Sequence, residues 1–142
     1  MTIRTGIALL GIVLGFVGHA AAQDFKAPES SGRVFFKNLK DGAVVPRTFT
    51  VEFGVEGLRV RPAGEDPLDH SSGHHHLIID GRPIPLGQPV PEDARDLHFG
   101  KGQTEARITL PPGRHTLTLQ FADGAHLSYG PKWAATIAVN VS

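Results

Sequence analysis

The stretch Thr48-Phe49-Thr50-Val51-Glu52-Phe53-Gly54-Val55 sets Phe49, Val51, Phe53 and Val55 against Thr50, Glu52 and Gly54, residue by residue. A period of two puts the apolar set on one face of an extended chain, the pattern of a strand buried on one side. Working outward, residues 33–37, 75–79, 106–110, 116–121 and 133–141 are further strand candidates, set among Gly, Pro, Asp and Ser. Asp41-Gly42 and Pro111-Pro112-Gly113 read as turns. No segment beyond residue 22 sustains a helical period. Short strands with frequent turn signals predict an all-β chain, a single immunoglobulin-like antiparallel β-sandwich over residues 33–142.

Residues 1–22 read as a signal peptide. Arg4 supplies the positive start, Ile7 to Val17 is an apolar stretch shorter than the roughly 20 residues that span a bilayer, and Ala20-Ala21-Ala22 is a small-residue cleavage pattern. The exported chain then begins near Gln23, with residues 23–32 as a polar, flexible arm. The expected location is periplasmic or secreted, and no lipobox cysteine follows to anchor the processed chain in a membrane.

Composition narrows the chemistry. The chain has no cysteine, which excludes a cysteine nucleophile, an iron–sulfur cluster and a blue-copper centre. Its one methionine is the initiator, so any metal site must use nitrogen and oxygen ligands. Fourteen basic residues balance fourteen acidic ones without a basic stripe, which argues against nucleic acid as a partner.

The strongest functional signal is Gly73-His74-His75-His76-Leu77-Ile78-Ile79-Asp80, where three histidines run directly into an apolar strand pattern. Alternation aims His74 and His76 to one side and His75 to the other. Imidazole is the commonest protein metal ligand, and two of them at i and i+2 make a half-site. His75 falls on the side of Leu77 and Ile79 and reads as a core-edge residue; the reverse assignment, with His75 as the ligand, stays open because the buried face is not specified. Two more candidates could complete the site. His98 lies between apolar neighbours after residues 81–96, a segment with four prolines that reads as a long surface excursion. His126 follows a strand, with Asp123 placed to orient its imidazole. His115 shares the face of Leu117, Leu119 and Phe121 and reads as structural, whereas His70 in a serine-rich loop reads as solvated.

Several of these segments occur together in a recognisable order: Phe35-Phe36, Asp41-Gly42-Ala43-Val44-Val45-Pro46, the histidine run, Leu97-His98-Phe99-Gly100-Lys101-Gly102-Gln103-Thr104-Glu105, and Leu110-Pro111-Pro112-Gly113-Arg114-His115-Thr116-Leu117. In this respect the chain resembles the bacterial exported family known as domain of unknown function 4399, over nearly all of residues 33–141. The resemblance implies that His74, His75, His76 and His98 are family features; it implies no activity.

The resulting expectation is an exported histidine-rich protein that binds copper or zinc for storage or delivery, with His74, His76, His98, His126 and His75 as the candidate ligands. Its partners would be a metal ion and another exported protein. A copper brace would require His19 to begin the mature chain, and Ala20-Ala21-Ala22 is the better cleavage site. The competing expectation is a non-enzymatic module that binds peptide or glycan, with structural histidines and with Tyr129 and Trp133 as contact aromatics. Hydrolysis ranks last, because no nucleophile elbow surrounds Ser71 or Ser72.

Overall fold

The computed structural model describes residues 24–142; the signal-peptide reading of residues 1–22, His19 included, lies outside the described residues. Nine strands follow in order: β1 (Arg33–Phe36), β2 (Ala43–Val45), β3 (Thr48–Glu56), β4 (Arg59–Val60), β5 (Ser72–Ile79), β6 (Asp96–His98), β7 (Glu105–Thr109), β8 (Gly113–Ala122) and β9 (Ala134–Val141). A single 3-10 turn, Pro131–Trp133, precedes β9.

The alternation in β3 does what it predicts. Phe49, Val51 and Phe53 are buried, and β3 pairs antiparallel with β1 on one side and β7 on the other. The larger sheet runs β2-β9-β8-β5-β4, with β6 also paired to β5. Register pairs His75 with Phe121, Leu77 with Leu119 and Ile79 with Leu117, so these side chains share one face. That face meets Val34, Val51, Phe53 and Ile108 of the smaller sheet, and the two together form the core of an all-β sandwich. Trp133 is fully buried in this core, and Tyr129, also buried, donates its hydroxyl hydrogen to Ser72 O at 2.7 Å. Both are therefore packing residues and do not serve as contact aromatics.

The structure also adds to the expected strands. β5 begins at Ser72, three residues before the predicted start, because Ser72 and Gly73 pair with β4. Gly73 fits there for want of a side chain: a Cβ would collide with Ala122 O and the Phe121 ring. β2, β4 and β6 are two or three residues long and too brief for a periodic signal; β2 on β9 and β4 on β5 are parallel pairings within an otherwise antiparallel architecture.

All eight residues of β5 are buried, so both of its faces are covered. One faces the sandwich core. Over the other lie the proline-rich segment and the turn after β8, joined backbone to backbone: Gly87 N donates to Ser128 O at 2.9 Å, Ser128 N to Gln88 O at 2.9 Å, and Val90 N to His126 O at 2.9 Å. Gln120 on β8 anchors this cover to the sheet, its Oε1 accepting from Ile84 N at 2.9 Å. The excursion predicted for residues 81–96 is thus a lid packed on the outer face of the larger sheet, with its own Val90 buried. Residues 24–32 form no strand; Phe25 stacks on Tyr129 with ring centroids 6.1 Å apart, and Lys132 Nζ donates to Ser30 O at 2.8 Å.

Candidate metal centre

Three separate segments bring four imidazoles to the outer face of the larger sheet. His74 and His76 come from β5, where they lie opposite Ala122 and Gln120 and point away from the sandwich core. β6 docks on the other edge of β5 with His98 directly opposite His76, which places both rings on one face. His126 comes from the turn after β8. Its backbone is left-handed, at φ 66°, a conformation uncommon for any residue with a Cβ. Asp123 holds that turn: its Oδ1 accepts from Ala125 N at 2.9 Å and Leu127 N at 2.8 Å, and its carbonyl accepts from His126 N at 3.0 Å. Asp123 was expected to orient the His126 imidazole; instead it shapes the backbone that presents it, because both amides capture the same carboxylate oxygen.

The rings are close. Centroid separations are 4.7 Å for His74–His76, 5.0 Å for His74–His98, 5.0 Å for His74–His126 and 4.6 Å for His98–His126. One nitrogen from each of His74, His76, His98 and His126 lies within 4.8 Å of the others, so the cluster could hold a metal ion. The nearest pair is His74 Nε2 and His76 Nε2 at 3.0 Å. A neutral imidazole carries one N–H and one lone pair, so that contact satisfies one nitrogen of each ring. His74 Nδ1, His76 Nδ1 and His98 Nε2 are buried with no hydrogen-bond partner. Gln120 does not supply one, since its amide is directed to the backbone carbonyls of Phe121, Gly130 and Trp133. The Glu92 carboxylate stands 3.6 Å from His98 Nδ1, too far for a direct hydrogen bond.

Burial controls the protonation of these rings. Desolvation pushes His74 down to about 3, and the nearby His126, His98 and His75 add to the effect. His76 falls to about 2 for the same first reason, with His74 as its principal neighbour, and His98 is lowered mainly by desolvation. His74, His76 and His98 are therefore held toward the neutral form, the protonation state that metal coordination requires.

The remaining histidines are placed elsewhere. His75 faces the sandwich core, its ring 5.3 Å from Phe53 and 4.9 Å from Phe121, and is not part of the cluster. His115 has both nitrogens engaged, Nδ1 with Asp80 Oδ2 at 2.8 Å and Nε2 with Pro111 O at 2.9 Å. Two acceptors require two N–H donors, so its pKa is raised, first by the Asp80 bond. His70, expected to be solvated, is half-buried, with one side against Phe25 at 5.1 Å and Tyr129 at 5.8 Å. Gly100 is a site residue that sequence reading missed. A Cβ there would fall inside contact distance of His98 Cε1 and Nε2, so only glycine leaves that ring its position.

The fold and the site together define an all-β domain with a four-histidine cluster, two of its rings buried and two half-buried, on the covered outer face of its larger sheet. Residues 51–142 match the family described as a domain of unknown function, DUF4399, and the chain belongs to that family. No curated protein and no solved structure matches it.

The lowered histidines link stability to pH. Above about 6.5, the unperturbed value, His74, His75 and His76 are neutral in folded and unfolded chains alike and their contribution is complete. Below it the unfolded chain takes up protons that His74, His75 and His76 refuse until about 3, 4 and 2 respectively. Stability should fall as pH drops from 6.5 toward 4, by up to about 1.4 kcal/mol per pH unit for each such histidine. His115 has the opposite sign and loses its contribution as pH rises through its raised pKa. Urea denaturation of metal-free protein at pH 7, 6 and 5 should give a steep decline; a flat profile would contradict the buried, neutral cluster.

Proposed function

We propose that the protein binds a divalent transition metal, copper(II) or zinc(II), through His74, His76, His98 and His126, and that it stores or delivers the ion outside the cytoplasm. The observation that supports this most directly is the convergence of four imidazoles from three chain segments with three buried ring nitrogens left unpartnered. Buried polar nitrogens without partners are costly, and a fold that gathers several at one point has a use for their lone pairs. An all-nitrogen donor set suits copper(II) and zinc, while oxygen-seeking calcium and magnesium find no carboxylate among the four. Donors about 2.0–2.1 Å from one ion lie roughly 3.3 Å apart around a tetrahedron and up to about 4 Å apart across a square. A cluster spread over 4.8 Å reaches either by a contraction on the order of 1 Å, which the loop-borne His126 and the short edge strand carrying His98 can supply. The signal-like residues 1–22 support a role in the periplasm or beyond, with another exported protein as donor or acceptor of the ion.

Protein purified without a nickel column should bind one equivalent of copper(II) or zinc(II) in calorimetric titration. Replacing His74 and His76 together by Ala should abolish binding, and equal affinity in wild type and double variant would overturn the assignment. His115→Ala, which removes a half-buried group hydrogen-bonded at both nitrogens, should lower the melting temperature and leave metal affinity unchanged.

Gly100→Ala provides a finer measure. By displacing the His98 ring it should weaken binding about 10–100-fold, the usual scale for groups that support a ligand. An unchanged affinity would show that His98 does not coordinate.

A further inference from the structure

The turn that carries His126 toward the cluster presents its other residues, Asp123, Ala125 and Leu127, to a separate cleft of about 440 Å³. Volumes of this order hold small organic molecules. Phe25, Leu68 and Leu127 give the cleft an apolar wall, and Leu68 stands at its rim with 86% of its surface exposed, the most exposed of the large apolar side chains. His70 adds a second ring beside Phe25.

One polar group in this wall keeps an acceptor that no protein donor fills. Asp123 is only 2% exposed. Its Oδ1 accepts two backbone amides, while among the described residues no protein donor reaches Oδ2, which keeps contact with solvent, and no Lys or Arg pairs with the carboxylate. The other charged lining residues, Asp24 and Lys26, carry one charge of each sign and offset each other. The cleft therefore combines an apolar and aromatic wall with one net negative charge held at a buried position.

We propose that this cleft binds a small organic cation, a primary amine on an apolar or aromatic body. The ammonium replaces water as the donor to Asp123 Oδ2, in a charge-assisted hydrogen bond. The apolar body covers Leu68 and Leu127 beside the Phe25 ring that also lines the cleft. This site uses none of the four clustered histidines and stands independently of metal binding.

The test uses 2-phenylethylamine as the cation and 2-phenylethanol as its neutral isostere, titrated calorimetrically and by amide chemical shifts. The proteins are wild type, Asp123→Asn and Leu68→Ala. Asn keeps the oxygen that accepts from Ala125 and Leu127, so the turn is preserved while the charge is lost. The amine should bind wild type about tenfold or more tightly than the alcohol, the scale of a hydrogen bond to a charged group. Asp123→Asn should remove that advantage and leave the alcohol unchanged, and Leu68→Ala should weaken both. No saturable amine binding to wild type, equal affinity for amine and alcohol, or amine binding undiminished in Asp123→Asn would overturn the proposal. If Asp123→Asn does not fold, the amine–alcohol ratio on wild type and the loss in Leu68→Ala decide it alone.

Discussion

Strand β5 is buried on both faces, and the rest of the molecule is arranged around that constraint. A sandwich strand ordinarily shows one face to water. Here the inner face contributes Leu77 and Ile79 to the core, while the outer face carries His74 and His76 under a lid of loop. Covering that outer face requires chain from elsewhere, and the proline-rich segment and the turn after β8 provide it. Prolines suit the lid, since it follows no ladder and its links run through Ile84, Gly87, Gln88 and Val90. The same cover delivers His98 and His126, so the constraint that dries the strand also assembles the cluster.

Taking the rings of His74, His76 and His98 out of water is unfavourable in the absence of an ion. Their nitrogens lose water, and three of those buried in the cluster gain no partner in exchange. Desolvation also rejects the proton that would otherwise supply a hydrogen-bond donor. The inter-sheet core offsets this cost, with Leu77, Leu117, Leu119, Phe121 and Val139 all fully buried against Val51 and Phe53. A bound ion would return the lost interactions to the folded chain alone, which makes metal a stabilising ligand by mass action.

Much of this was legible in the sequence, and the illegible parts share a physical origin. The alternation of residues 48–55 specified a half-buried strand, and the i, i+2 spacing placed His74 and His76 together with His75 opposed. Spacing alone did not say which side was inner; that depended on Leu77 and Ile79 pairing with Leu119 and Leu117 across the sheet. His98 was harder, because β6 is three residues long and exists only through its pairing with β5. The place of His126 rests on a left-handed backbone angle and on two amides captured by Asp123, neither of which leaves a periodic trace. Gly100 sits in a glycine-rich run where no local signal distinguishes the glycine under a ring from its neighbours.

The central claim is that four imidazoles from three segments act as one site. Nitrogen-15 spectra of the histidine side chains during a zinc titration examine it most directly, because each ring reports separately. The account predicts that His74, His76, His98 and His126 shift together and saturate at one equivalent, while His70, His75 and His115 keep their positions. Shifts confined to His70, or a response from His74 and His76 without His98 and His126, would contradict it.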